Sequence, residues 1–350
     1  MWLYLLKRAL LAVPTFLGIT VVCFALTQVV PGGPVERRLA QMRGLGEGGA
    51  AATAGADARG GSRAAATEEL RRQLDAHFGF DKPPAQRYWQ WLVRDRCGLR
   101  ARSWHYTDRT VWRLVADRIP VSLWFGIPGF LLTYLVCIPL GIAKAMRRGT
   151  AFDLVSSLVV FAGYAIPAFA LGMILKTLFC GTVDGLWDAL PLGGLESDSY
   201  AELSPWGKAV DRARHMLLPV LCYMSGAFAM LTLLVKNSLL DQLSADYMRT
   251  VLARGATMRR AVWRHALRNA LVPVATGFGG VLTVFFAGSV IIESVFEIPG
   301  MGSLSLEALE SRDYPVFLGL MAVTSVLGLA GQLLSDICCA IVDPRIRFDK

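Results

Sequence analysis

The chain has 350 residues, of which 54% are hydrophobic and only 18% charged, with a mean hydropathy of +0.45 and a net charge of +9. Soluble domains carry roughly a quarter charged residues, so this balance excludes an ordinary water-soluble globule and points to a polytopic membrane protein whose basic residues set orientation. Seven cysteines without a CxxC spacing and four histidines without paired ligand spacing give no disulfide framework or metal site to expect, and six of the cysteines, all but Cys97, fall in or beside apolar runs as small core residues.

The N-terminus places Lys7 and Arg8 before an apolar run, Ala9 to Val30, of 22 residues. A cleaved signal has an apolar core of about 7–15 residues, whereas this run extends roughly 33 Å as a helix, enough for a bilayer core of about 30 Å. It is predicted to be a retained first transmembrane helix, residues 1–30. A long segment, residues 31–120, follows. Its Gly/Ala-rich part, Gly44–Ala66, has the composition of a flexible excursion, and the stretch from Thr67 to Val93 has helical apolar spacing with Trp89 and Trp91, as in a small helical cap or a helix near the membrane surface.

Five further apolar runs, Val121–Ala143, Leu154–Phe179, Met216–Val235, Leu271–Ile292 and Val316–Val342, bring the expected total to six spans. They form a core over residues 121–342, with a tail at 343–350. Lipid admits only backbone that satisfies its own hydrogen bonds, and nothing alternates in the pattern of an outer-membrane barrel, so the fold is predicted to be all-α. Lys7 and Arg8, the trio Lys144, Arg147 and Arg148, the loop after span four and the tail with Arg345, Arg347 and Lys350 all fall on one side, whereas the loops after spans three and five are acidic. That bias places both termini in the cytoplasm; the Arg-rich segment 31–120 lies outside, being long enough to translocate regardless of charge.

The loop after span four, residues 237–270, carries the sequence "SADYMRTVLARGATMRRAVWRHALRN". Ser244 is a candidate N-cap of a helix through Arg254, Gly255 breaks it, and Thr257 can cap a second helix. On the second helix Arg260, Arg264 and Arg268 form one stripe, with Met258, Val262 and Ala266 roughly opposite. Such an element could lie on lipid headgroups, grip nucleic acid or dock a partner. No nucleic-acid fold accompanies it, and a surface anchor needs no sharp turn, so the Gly-broken pair favours docking.

The stretch from Asp246 to Val274 resembles the coupling loop of permease subunits in ATP-binding-cassette importers, and within them the dipeptide/oligopeptide branch. The matching positions are Tyr247, Arg249, Thr250, Ala253, Arg254 (in place of Lys), Gly255, His265, Ala266, Arg268 and Asn269, with departures at Val251 and Leu252. "PGGPV", "FGFDKP", "GYAIPAF", "KNSLLD", "IIESVFEIPGMG", "SRDYPV" and "DPRIRF" extend the likeness along the chain, several of them towards the branch that imports peptides and microcin C. One outer motif of the family survives only as "RDRCGLRARS", Arg94–Ser103. The resemblance implies a type I importer permease (MetI-like) fold with an extracytoplasmic insertion after helix one, in the bacterial inner membrane. It also implies a second homologous permease, a cytoplasmic ATPase that binds the ATP and magnesium, a periplasmic peptide-binding protein and a peptide substrate. The chain itself has no GxxxxGK(S/T) phosphate loop and no expected cofactor, metal or catalytic residue.

Several polar or helix-breaking residues fall in or near spans. Pro167 is expected to kink span three, with gating as the functional alternative. Glu293 is either a gate or path residue or a structural hydrogen-bonding group. Lys176 is expected to snorkel and Asp336 to pair with a basic neighbour. Gly277, Gly279, Gly280 and Gly288 favour close helix contact. A secondary transporter usually shows internal repeats and charged midplane residues; neither is evident, and a non-transporting scaffold is the remaining alternative.

Overall fold

The computed structural model describes residues 2–30, 33–36, 38–39, 60–183, 187–277 and 289–342. Among these residues the fold is all-α; two isolated bridges, Arg102 with Thr110 and Cys180 with Asp188, are the only paired extended backbone. The helices are α1 (Trp2–Val29), α2 (Gly60–Phe78), α3 (Pro84–Trp89), α4 (Val111–Met146), α5 (Ala151–Ala165), α6 (Ala168–Phe179) and α7 (Pro205–Ser244). They continue with α8 (Asp246–Ala253), α9 (Met258–Ala261), α10 (Leu267–Ala270), α11 (Val272–Thr276), α12 (Val290–Val295), α13 (Met301–Glu310) and α14 (Tyr314–Val342). Gln90–Arg94 and Val262–Ala266 are π turns that prolong α3 and α9.

Among the described residues, α1, α4, α7 and α14 are long and apolar enough to cross a membrane, and a fifth span results if α5 and α6 count as one. The expected third span is therefore a broken one. Ile166 is extended, Pro167 precedes α6 without a helical conformation of its own, and the two helix axes differ by 97°. Proline removes an amide donor and pushes its predecessor out of the α region, so the bend is far sharper than the expected kink. The expected second and fourth spans are longer than their apolar windows: α4 and α7 run on through polar flanks as 36 and 40 residues of helix. The fifth predicted span is described only at its ends, as α11 and α12; Gly279, Gly280 and Gly288 lie outside the described residues, as do residues 44–59 of the Gly/Ala-rich excursion and the tail 343–350. Gly60–Ala66, expected as flexible, already belongs to α2.

The chain divides into two compact units, the larger built from residues 1–14, 115–306 and 324–350, the smaller from 15–114 and 307–323. In the larger unit one core gathers Cys137, Ile142 and Ala145 of α4, Leu231, Val235 and Leu239 of α7, and the buried side of α8–α11. Gly141 makes the α4–α7 approach possible, since a Cβ there would fall 2.7 Å from Val235 and 2.8 Å from the Thr232 carbonyl. A second core joins Phe125, Leu218 and Cys222 to Ile292, Phe296 and Ile298. Arg8 pairs with Asp336, as expected from their charges.

The smaller unit is organised around Trp91, Leu318 and Ala322, with Phe16, Phe24, Tyr88 and Phe317 against them. Asp313 fastens it: its buried carboxylate accepts hydrogen bonds from the Ser103 hydroxyl, the His105 amide at 3.0 Å and the Val316 amide at 3.4 Å, the last in the first turn of α14. The degenerate Arg94–Ser103 motif forms a tight turn, with Arg96, Cys97 and Gly98 all at positive φ (50°, 59° and 80°). Its Gly98 lies under the Trp91 indole, where a Cβ would come within 2.4 Å of Nε1.

Candidate functional site

The basic loop folds as two short helices around a left-handed turn. At the end of α8, the Gly255 amide donates to the Leu252 carbonyl (2.9 Å) and the Ala256 amide to the Val251 carbonyl (3.4 Å), the paired bonds of a Schellman cap. Gly255 has φ +82°, a conformation open to glycine and strained for a residue with a Cβ. Nothing lies within 4 Å of a Cβ built there, so the constraint is conformational and not steric. Thr257 then caps α9, its hydroxyl accepting from the Arg260 amide at 3.4 Å. Ser244 is not the cap of α8. It is the last residue of α7, bonded back to the Leu240 and Asp241 carbonyls, because α7 continues beyond its apolar window on Leu239, Leu240 and Leu243.

The two faces of the second helix have different fates. Ala261, Val262, Ala266 and Ala270 are fully buried in the core with α4 and α7. Ser238 of α7 donates to the Ala270 carbonyl at 2.8 Å and ties α10 to the same surface. The apolar stripe thus splits: Val262 and Ala266 pack inside the chain, whereas Met258, at the helix start, is exposed. Arg259, Arg260, Arg264, His265, Arg268 and Asn269 are exposed, together with Trp263 at 59%. Thr257, Arg259, Arg260 and Trp263 line a shallow depression of about 360 Å³. The π turn Val262–Ala266 inserts an extra residue into this helix, a feature common at functional positions. On α8, Arg249, Ala253 and Arg254 are exposed, Met248 is buried, and Arg249 faces Asp246 at 3.7 Å. The Tyr247 hydroxyl donates to Gln242 Oε1 (2.9 Å) and accepts from Asn269 Nδ2 (3.5 Å), which links α7, α8 and α10. Trp263 was not singled out by the spacing argument; a lone large aromatic amid arginines was the signal for it.

Next to this element lies an ion network absent from the sequence reading. Lys144 of α4 is fully buried and donates to Ser156 Oγ (2.8 Å), Ser157 Oγ (2.7 Å) and the Asp153 carbonyl (3.0 Å). Its Nζ lies 3.4 Å from Asp153 Oδ1, and Lys236 of α7 contacts both carboxylate oxygens at 2.6 and 2.9 Å. The Gly149 amide donates to Asp153 Oδ2 at 3.3 Å and completes the set of partners around this carboxylate. Lys144 and Lys236 had registered only as orientation charges; Asp153, one residue before a predicted span, is what joins them. Lys236 stands two residues from Ser238, so the network and the α10 contact share one turn of α7.

Pro167 and Glu293 fall elsewhere in the same unit, on neighbouring segments. Glu293 is fully buried: Oε1 accepts from the Ser289 amide (3.1 Å) and Ser122 hydroxyl (3.4 Å), and Oε2 from the Ser303 amide (2.7 Å). Ser122 Oγ in turn accepts from the Met301 amide at 2.9 Å. The Phe296–Met301 loop is folded tightly around this carboxylate, and a Cβ on Gly300 would lie 2.6 Å from it. Beyond the exposed Pro167, α6 packs on the same loop: Gly172 abuts Phe296, and Lys176 Nζ donates to the Val295 carbonyl at 2.7 Å. Lys176 therefore does not snorkel; the broken helix brings its ammonium to an unpaired helix-end carbonyl instead. Among the described residues no cluster of His, Cys, Asp and Glu could hold a metal ion.

Residues 137–348 match the family described as binding-protein-dependent transport system inner membrane component. The chain is 36% identical over 365 residues to the peptidoglycan transport system permease protein YejB of Agrobacterium fabrum, covering 99% of this chain and 98% of the relative. It is 36% identical over 363 residues to the inner membrane ABC transporter permease protein YejB of Escherichia coli O157:H7, covering 99% of both. The dipeptide transport system permease protein DppB of Escherichia coli K12 is 31% identical over 366 residues, again over 99% of both chains.

Proposed function

The chain belongs to the family of binding-protein-dependent transport system inner membrane components, and from that membership we propose that it is one of two permease subunits of an ATP-driven importer of short peptides or peptide-like compounds, microcin C and peptidoglycan-derived peptides among them. The importer pairs this chain with a second homologous permease, cytoplasmic ATPase subunits that bind ATP and magnesium, and a periplasmic binding protein. Both termini and the 237–270 loop face the cytoplasm. The chain supplies half of the path and hydrolyses nothing itself.

The observation that carries this reading is the division of labour on the Gly255-hinged element. Its apolar side is used up against α4 and α7, while Met258, Trp263 and the arginines face outward from a rigidly held helix. A helix that only rested on lipid would present its apolar side outward. Here the outward side combines arginines with one large aromatic, the residue types enriched at protein contacts. A push on that face passes through the Ser238–Ala270 bond and the Lys144–Asp153–Lys236 network to α4, α5 and α7. The test is copurification: the tagged chain should bring down a second permease and an ATPase, and peptide uptake should require ATP and the binding protein. Gradient-driven uptake by this chain alone would sink the proposal, and a complex without any ATPase would do the same.

A further inference from the structure

We propose that the smaller unit contains a binding site for the free C-terminal carboxylate of a short peptide, at a cavity of about 960 Å³ lined by residues 24–107 and 314–318. The proposal rests on the peptide-import reading above and adds a substrate contact to it. The cavity lies within the range of about 300–1,000 Å³ typical of small-ligand pockets. Five cationic side chains reach its wall, Arg38, Lys82, Arg87, Arg100 and Arg102, against one carboxylate, Asp95.

Behind the wall lies a set of donors without acceptors. The Tyr314 hydroxyl, Trp91 Nε1 and Arg87 Nε are buried and have no hydrogen-bond partner among the described residues, and all three residues line the cavity. Trp91 and Tyr314 are 6% and 9% exposed. Arg87 is already positioned, donating to Gln28 Oε1 and stacked 4.7 Å from the Phe80 ring centroid. These donors are shut off from the cavity, so a ligand there meets the cationic wall, which selects a partner that brings oxygen acceptors and negative charge. Guanidinium groups suit a carboxylate because the planar fork matches its two oxygens. A bare inorganic anion would leave the ring wall wet: Trp104 stands 4.7 Å from Phe78 and 5.8 Å from Tyr314, centroid to centroid. The ligand that satisfies both walls is a carboxylate on an aromatic or aliphatic body.

The experiment uses the complete transporter in nanodiscs, without its binding protein, and the tripeptide Ala-Phe-Phe as free acid and as C-terminal amide, with binding read by calorimetry. The free acid should bind at least tenfold more tightly than the amide. The double variant Arg100→Ala/Arg102→Ala, which changes two exposed side chains and should fold normally, should lose at least tenfold for the acid and little for the amide. Equal affinity for acid and amide would overturn the site. Unchanged binding in the double variant would overturn it too, as would displacement of the peptide by added phosphatidylglycerol, which would assign the cavity to lipid. ATP-driven uptake of the same peptide, with the binding protein present, separates the two levels: uptake without any carboxylate preference refutes the cavity alone, whereas no peptide uptake at all refutes the proposed function.

Discussion

The Gly255 turn and the Glu293 loop are both glycine-shaped and both rich in charge, yet they use these features in opposite ways. Around Glu293 the carboxylate is wholly buried, its oxygens accept from main-chain amides and Ser122, and Gly300 and Gly302 are there because no Cβ fits. Around Gly255 the space is open, the glycine serves only its positive φ, and the neighbouring arginines face outward. A charge satisfied inside the chain holds the fold; a charge exposed at the surface can meet a partner. The contrast predicts that stability and transport respond separately to mutation in the two regions.

The largest loss of stability is expected inside the closed region. Gly302→Val would drive a Cβ to 2.5 Å from the Val290 amide nitrogen, a backbone atom that cannot yield, and little folded protein should survive detergent extraction. Next comes Asp153→Ala, which strands the buried Lys144 without its counter-charge; breaking a buried pair costs about 3–5 kcal/mol, measurable as a lowered unfolding midpoint in detergent. Lys236→Met should cost less, because Lys144 still balances the carboxylate, so equal losses from the two variants would contradict the network as drawn.

At the open turn the order reverses. Gly255→Asp should lower stability by only about 1–2 kcal/mol, the cost of a left-handed non-glycine residue, and leave membrane insertion intact. It should nevertheless abolish transport-coupled ATP hydrolysis. Gly255→Asn, the residue that sometimes replaces glycine at a left-handed helix cap, should retain part of the activity; normal uptake by the Asp variant would break the comparison. Smallest in stability is Arg260→Glu/Arg264→Glu, two exposed positions where surface changes stay within about 0.5 kcal/mol each. The pair should still weaken ATPase copurification at least tenfold, and an unaltered complex would count against the outward face as the contact.

Much of this was legible in the sequence for a physical reason: membrane crossing leaves a long apolar run. α1, α4, α7 and α14 cover their predicted spans. The Gly255 break and the Thr257 cap were legible because local backbone chemistry dictates them. The break at Pro167 was legible only as a kink, since hydropathy is the same for one bent span and for two helices at 97°. Ser244 misled because a cap signal in sequence cannot reveal that the preceding helix runs on through it. The Lys144–Asp153–Lys236 network and the Ser103–Asp313 bond join residues far apart in the chain, which periodicity does not connect. Which of the two opposed stripes is free could be told only once Val262 and Ala266 were seen against α4 and α7.

The central claim, that the outward face of the Gly255-hinged helix is the ATPase contact, is tested most directly by photo-crosslinking in the assembled transporter. A benzophenone amino acid in place of Trp263 should crosslink to the ATPase subunit. One in place of Val262, the adjacent buried position, should crosslink within the permease chain or not at all. ATPase adducts from position 262 but not from 263, or from neither, would contradict the account.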